Sequence, residues 1–165
     1  MQRLTPDAPG FAQATDLLTQ GRLIAFPTET VYGLGADACN DDAVAGIYAA
    51  KGRPAFNPLI VHVADMETAH KYVVFNDDAF ALASAFWPGA LTLVLPMRPD
   101  AGISKLVTAG LQTLAIRVPD HAVGQGVLRA FGGPVAAPSA NPSGRISPTT
   151  AAHVIDGLGG KIDAV

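Results

Sequence analysis

At 165 residues the chain suits one domain with one sizeable core; 15% of it is charged, against about 25% in an average globular protein, and 49% is apolar. A net charge of -3 supplies no global field toward nucleic acid or an anionic membrane, so bulk electrostatics names no partner. The lone Cys39 excludes an internal disulfide and a cysteine-based zinc site, MQRLTPDAPG has no apolar signal core, and no run approaches the ~18 residues of a membrane span; a soluble, cytoplasmic protein is expected.

Residues 10–20 carry Phe11, Ala14, Leu17 and Leu18 at helical spacing, and Gly21 follows where a left-handed cap would sit. RLIAF (22–26) then reads as a short buried strand. A second helix, DDAVAGIYAAK, opens at Asp41 with acids at its positive end and stops at Gly52. LIVHV is the next strand, followed by helical text over 66–73 and 78–86. Pro88 and Gly89 introduce the strand ALTLVL. TLAIRV, PVAAPS and the closing KIDAV supply further strands, with helices over 123–131 and 148–155. Interleaved strands and helices predict an α/β domain built on a twisted mixed sheet with helices packed on its faces.

Residues 25–38, AFPTETVYGLGADA, hold Gly33, Gly35 and Ala38 in the order of a dinucleotide loop. That fingerprint needs its first glycine directly after a strand and an acid about 20 residues on. Here six residues separate Phe26 from Gly33, and Ala55, Phe56 and Asn57 stand where the acid belongs. The glycines are read instead as letting the backbone turn tightly beneath the preceding loop. P-loop, HExxH and GxSxG patterns are absent, and the E-x-x-H of Glu67 and His70 lacks the second copy a di-iron bundle needs.

In KGRP, Lys51 closes a helix, where the negative dipole end welcomes a cation, and Pro54 forces Arg53 into extended backbone. The two cations can project to one side, where they repel unless an anion lies between them; phosphate binding and a plain solvated surface both fit. In APSANPSG two prolines hold the chain extended, so Ala137, Ser139 and Asn141 share a face that offers close backbone approach, a hydroxyl and an amide. A Ser/Asn-rich turn explains the same text. Ser147 is expected to N-cap the next helix with Pro148 at its first position, an end able to receive a phosphate.

Alternation in TLAIRV sends Leu114, Ile116 and Val118 one way and Thr113, Ala115 and Arg117 the other, on a strand covered on both sides. A buried guanidinium requires a carboxylate, from the protein or a ligand. His62 in LIVHV fits a neutral, hydrogen-bonded core histidine, and Glu29 is read as structural, bonding its own loop.

Taken together, PTETVYGLGADA, KGRPAFNPLIVHV, FWPGALTLVL, LAIRVP and PSANPSG followed by SPTT resemble, in order and spacing, the threonylcarbamoyl-AMP synthase family with its YrdC-like domain, from about Leu17 to Val154. The resemblance implies synthesis of threonylcarbamoyl-AMP and pyrophosphate from L-threonine, bicarbonate or CO2, and ATP, with Mg²⁺ carried on the triphosphate. The product would pass to a separate tRNA threonylcarbamoyl transferase complex. Carried over residue by residue, Lys51, Arg53, Asn57, Thr113, Ser139, Asn141 and Ser147 are similar to the family's ATP contacts, with Lys51 and Arg53 catalytic. Thr30, His62, Arg117 and Ala137 are similar to its threonine contacts. Family members continue through a strand with a G-x-E-S-T-like motif, so residues 1–165 are expected to be a YrdC-like domain truncated at its C-terminal end. The rival expectations are an RNA-binding module, with tRNA in the same cleft, and the carbamoyl-adenylate-forming domain of hydrogenase maturation proteins.

Overall fold

A computed structural model describes all 165 residues. In chain order the elements are α1 (Ala8–Thr19), β1 (Ile24–Pro27), β2 (Tyr32–Asp37), α2 (Asp41–Lys51), β3 (Ile60–His62), α3 (Met66–Ala69), α4 (Asp77–Phe86), β4 (Leu93–Pro96), α5 (Lys105–Thr108), β5 (Thr113–Arg117), α6 (Ala122–Phe131), β6 (Val135–Ala136) and α7 (Ala151–Leu158). Side-chain caps set most of the helix starts. Asp7, Asn40, Asp65 and Asn76 each accept a backbone N–H from the first turn of α1, α2, α3 and α4, satisfying donors the helix leaves unpaired. Gly52 ends α2 in the left-handed region at φ 59°, where a side chain would be strained.

The six strands form one sheet in the order β1-β2-β6-β3-β5-β4. Only β3 and β5 run parallel; every other neighbouring pair is antiparallel. Period-two alternation divides the side chains between the two faces. Leu34, Ala36, Val61, Leu114, Ile116 and Ala136 enter a core of 30 buried residues shared with α2, α4, α5 and α7. Ile24, Phe26, Val135 and Ala137 enter a second core of nine, closed by Ala14 and Leu18 of α1 and Val127 and Leu128 of α6. The division predicted for 113–118 is the one observed: Leu114, Ile116 and Val118 belong to the large core, and Thr113, Ala115 and Arg117 take the other face.

Several expectations are corrected. The GLGAD glycines make no turn: Gly33 and Gly35 lie inside strand β2. What they provide is room, because a Cβ on Gly35 would come within 2.8 Å of the Phe26 ring, and one on Gly33 within 3.2 Å of the Ala137 Cβ. Helical text over 66–73 yields a helix only as far as Ala69. KIDAV forms no regular strand; Ala164 makes isolated parallel bridges to Gln2 and Ile24, beside β1. The last helix begins at Ala151 with Thr150 as its cap, so Ser147 is not an N-cap. The reason is tertiary: Pro148 O accepts Tyr32 N at 2.8 Å, which holds the 147–149 stretch against β2 and outside the helix. No helix is long and apolar enough to cross a membrane.

Candidate functional site

The face that α1 and α6 cover over β1, β2 and β6 is left partly open over β3 and β5, where Ile60, Thr113 and Ala115 are half-buried. Parallel register places His62 beside Arg117, and antiparallel register places it beside Val135. Side chains two residues apart share a face, so His62, Arg117 and Ala137 look out on the same side of neighbouring strands. Gly33 bridges to Ser139 there, which extends the line of β6 past Ala137.

Arg117 supplies the charge at one end of this face. Its side chain is 9% exposed, and its Nη2 forms an ion pair with Glu29 Oε1. Nη2 also donates to Thr30 Oγ1 at 3.3 Å, and Nε donates to Gly89 O at 3.1 Å. Burial draws the Arg117 pKa down from its usual value. The carboxylate that its burial demands comes from the protein. Glu29 is therefore more than a brace for its own loop: Oε2 accepts Asp120 N at 2.9 Å, which joins the β1–β2 connection to the end of β5. The requirement for a partner was legible in the strand, and Glu29 lies next to Thr30 in PTET; what sequence does not reveal is that this loop folds over β5.

Thr30 is exposed, and its hydroxyl is within 3.0 Å of Thr28 Oγ1, which in turn donates to Val31 O at 2.7 Å. His62 is buried, with Nδ1 lacking any partner and the ring meeting Phe26 edge-on at 6.3 Å. Burial, the larger influence, lowers its pKa to about 4, so the imidazole is neutral at physiological pH. The hydrogen bond expected of a core histidine is not made at Nδ1, which is closed off from solvent. Ala137 N is spent on Ile60 O at 2.9 Å, so its carbonyl is the backbone atom left for a ligand.

The two predicted nucleotide stretches come together through a main-chain contact. Lys51 is buried at the end of α2, and Nζ donates to Ser139 O and to Asn141 O. Ser143 N returns a bond to Lys51 O at 2.8 Å. Burial first, and the neighbouring Arg53 charge second, lower the Lys51 pKa to about 8. Arg53 is half-buried: Nη2 donates to Pro58 O at 3.2 Å, while Nε has no partner. Asn57 lies in the same loop, held by Tyr48, whose hydroxyl donates toward Asn57 O at 3.0 Å and Leu106 O at 2.8 Å. Sequence reading passed over Tyr48, since an aromatic on an apolar helix face carries no mark of a polar task. Thr113 opens β5, two residues before the Ile60–Ala115 pair, and so lies toward Pro58 and away from the Arg117 end.

Asn141 does not present a free amide. Nδ2 donates to Pro142 O at 2.8 Å and Arg145 O at 2.9 Å, while Oδ1 is buried and unpartnered. Ser147, although not a helix cap, lines an open polar groove of about 730 Å³ with Asn141, Arg145, His153 and Asp156. No group of three or more His, Cys, Asp or Glu residues converges to hold a metal ion.

Comparison with known proteins finds relatives over nearly the whole chain. The family model of the Sua5/YciO/YrdC domain, described as "Telomere recombination", matches residues 16–165. The chain is 53% identical over 163 residues to threonylcarbamoyl-AMP synthase of Bacillus subtilis (strain 168), covering 98% of this chain and 47% of that protein. It is 46% identical to threonylcarbamoyl-AMP synthase of Pyrococcus abyssi (strain GE5 / Orsay), covering 92% of this chain and 44% of that one. The crystal structure of P. abyssi Sua5 complexed with L-threonine superposes with a TM-score of 0.92 at 44% identity, over 99% of this chain and 48% of its own. The chain thus spans about half the length of these relatives.

Proposed function

Because the chain belongs to the Sua5/YciO/YrdC family, we propose that it forms threonylcarbamoyl-AMP and pyrophosphate from L-threonine, bicarbonate or CO2, and ATP. The observation that carries this reading is the segment that continues β6: Lys51 is bonded to its carbonyls at 139 and 141, and Ala137 at its start shares a sheet face with His62 and with Arg117, itself bonded to Thr30. The first suits a polyphosphate, the second a small zwitterion. The product would serve N6-threonylcarbamoyladenosine formation on tRNA by a separate transferase complex, in the cytoplasm.

The reaction needs a neutral threonine amine to capture CO2, a carbamate oxygen aimed at the α-phosphorus, and stabilisation of departing pyrophosphate. None of these demands a covalent enzyme nucleophile. Arg117 would hold the threonine carboxylate and so fix the amine beside the α-phosphate, a gain in rate from orientation. Neutral His62 and Thr30 would receive the side-chain end. A pocket whose polar groups are left unpaired by the wrong ligand can reject analogues lacking the hydroxyl by about 10⁴-fold.

Lys51 uses two of its three N–H groups on Ser139 O and Asn141 O, which leaves one to meet phosphate charge beside Arg53. Asn57, Thr113, Ser139, Asn141 and Ser147 would complete the nucleotide seat. Mg²⁺ would be brought in on the triphosphate, where it keeps several of its waters and needs few protein carboxylates. When bound, it would neutralise phosphate charge. The hydrogenase-maturation alternative is not favoured, because the relatives at 46–53% identity bear the threonylcarbamoyl-AMP synthase name. Nor does a chain of net charge -3 favour RNA binding as the main role.

Pyrophosphate release by the full-length polypeptide, given threonine, bicarbonate, Mg²⁺ and ATP, tests the proposal. Release should require threonine and fall by about 10²-fold or more when Lys51→Ala and Arg53→Ala are combined. Threonine-independent release, or an unaffected double variant, defeats it.

A further inference from the structure

A guanidinium has five N–H groups, and a carboxylate grips it in a fork either across Nε and Nη2 or across Nη1 and Nη2. Both forks include Nη2. In Arg117, Nη2 serves Glu29 Oε1 and Thr30 Oγ1, and Nε serves Gly89 O. The two N–H groups of Nη1 are the ones without a protein acceptor. A second carboxylate arriving at Arg117 therefore finds a single edge, unless Glu29 gives way.

Glu29 is anchored from both of its oxygens. Oε2 accepts Asp120 N, 91 positions along the chain, while Oε1 holds Arg117. The loop that carries it is closed on itself by Thr28, whose Oγ1 accepts the N–H groups of Thr30 and Val31, each at 3.3 Å, and donates to Val31 O. Moving Glu29 away would break the Asp120 contact and leave Nη2 and Thr30 to find new positions together. We infer that Glu29 is the positioning residue of the amino-acid pocket: it stays on Arg117 when the substrate binds, fixes the guanidinium and the Thr30 hydroxyl relative to each other, and leaves Nη1 as the one contact for the substrate carboxylate. This assignment rests on the threonine reading above.

Two consequences separate this role from a general structural one. Loss of Glu29 impairs threonine binding and leaves ATP binding alone, since Lys51 and Arg53 lie beyond its contacts. It also weakens the choice of threonine over 2-aminobutyrate, which lacks the hydroxyl, because Thr30 loses its alignment.

Threonine and ATP affinities of the full-length polypeptide, measured by calorimetry for wild type, Glu29→Gln and Glu29→Ala, provide the test. Threonine binding should weaken about tenfold or more in Glu29→Ala, as for loss of a charge-assisted hydrogen bond, and less in Glu29→Gln, which keeps an acceptor oxygen; ATP binding should stay within about twofold. The preference for threonine over 2-aminobutyrate should shrink in the same order. Unchanged or tighter threonine binding in both variants overturns the assignment, the tighter result marking Glu29 as a competitor that substrate displaces. A wild type that binds no threonine defeats the threonine reading and this assignment together. Should both variants fail to fold, the Asp120 amide resonance of the wild type decides: it keeps its hydrogen-bonded shift on adding threonine if Glu29 stays, and loses it if Glu29 leaves.

Discussion

Lys51 joins two tasks that sequence reading treated separately. It ends helix α2, and its ammonium is buried against two main-chain oxygens of the 139–141 segment instead of standing free in solvent. Desolvation and the Arg53 charge favour loss of its proton, bringing its pKa to about 8. Under the proposed function a bound triphosphate would reverse that preference, because an adjacent anion favours the charged form. ATP binding at pH 8 should therefore be accompanied by uptake of about half a proton, the fraction Lys51 lacks at its own pKa, falling toward none near pH 6. Calorimetry in two buffers of different ionisation enthalpy reads this directly. Heats at pH 8 that do not depend on the buffer would show that Lys51 never meets the phosphates.

Among the elements, the segment between Asn141 and helix α7 most clearly separates local signal from outcome. Ser147-Pro148 has the grammar of a helix start, and Thr150 is an equally good cap three residues later. The choice falls to Thr150, whose side chain accepts His153 N at 3.2 Å, because Tyr32 N claims the Pro148 carbonyl. Thr150→Ala should cost about 1 kcal/mol, the usual worth of a cap, with a matching fall in Tm. Ser147→Ala should leave Tm unchanged and, under the proposed function, raise the KM for ATP. A fall in Tm on Ser147→Ala alone would contradict the observed boundary. Strand β2 gives the complementary lesson. YGLGAD lacks β-branched residues and carries two glycines, so propensity argues against a strand; it becomes one because Phe26 and Val135 require a neighbour without side chains.

For the molecule as a whole, one sheet carries two cores, and the candidate threonine end of the site lies where the smaller core runs out over β3 and β5. His62 couples that face to global stability. Its folded pKa, about 4, lies below the 6.5 of an exposed histidine, so its contribution is fully present above pH 6.5 and is lost as pH falls from 6.5 to about 4. The loss amounts to about 3 kcal/mol. Tm measured from pH 8 to 4 should fall more steeply for wild type than for His62→Gln; parallel curves would mean that the imidazole becomes protonated within the fold. Most of the architecture was legible because it is local. Helical spacing in 10–20, the acids that open DDAVAGIYAAK and the alternation in TLAIRV are each written within a dozen residues, as are the K-x-R and S-x-N stretches. Sequence by itself thus determined the α/β class, most of the elements and which residue types would carry charge. The tertiary structure alone decided that Glu29 completes Arg117, that Lys51 meets main-chain oxygens of 139 and 141, and that GLGAD pairs as a strand. The first two join groups far apart in the chain, and GLGAD pairs with distant β6 as well as with neighbouring β1, so no short window contains every partner.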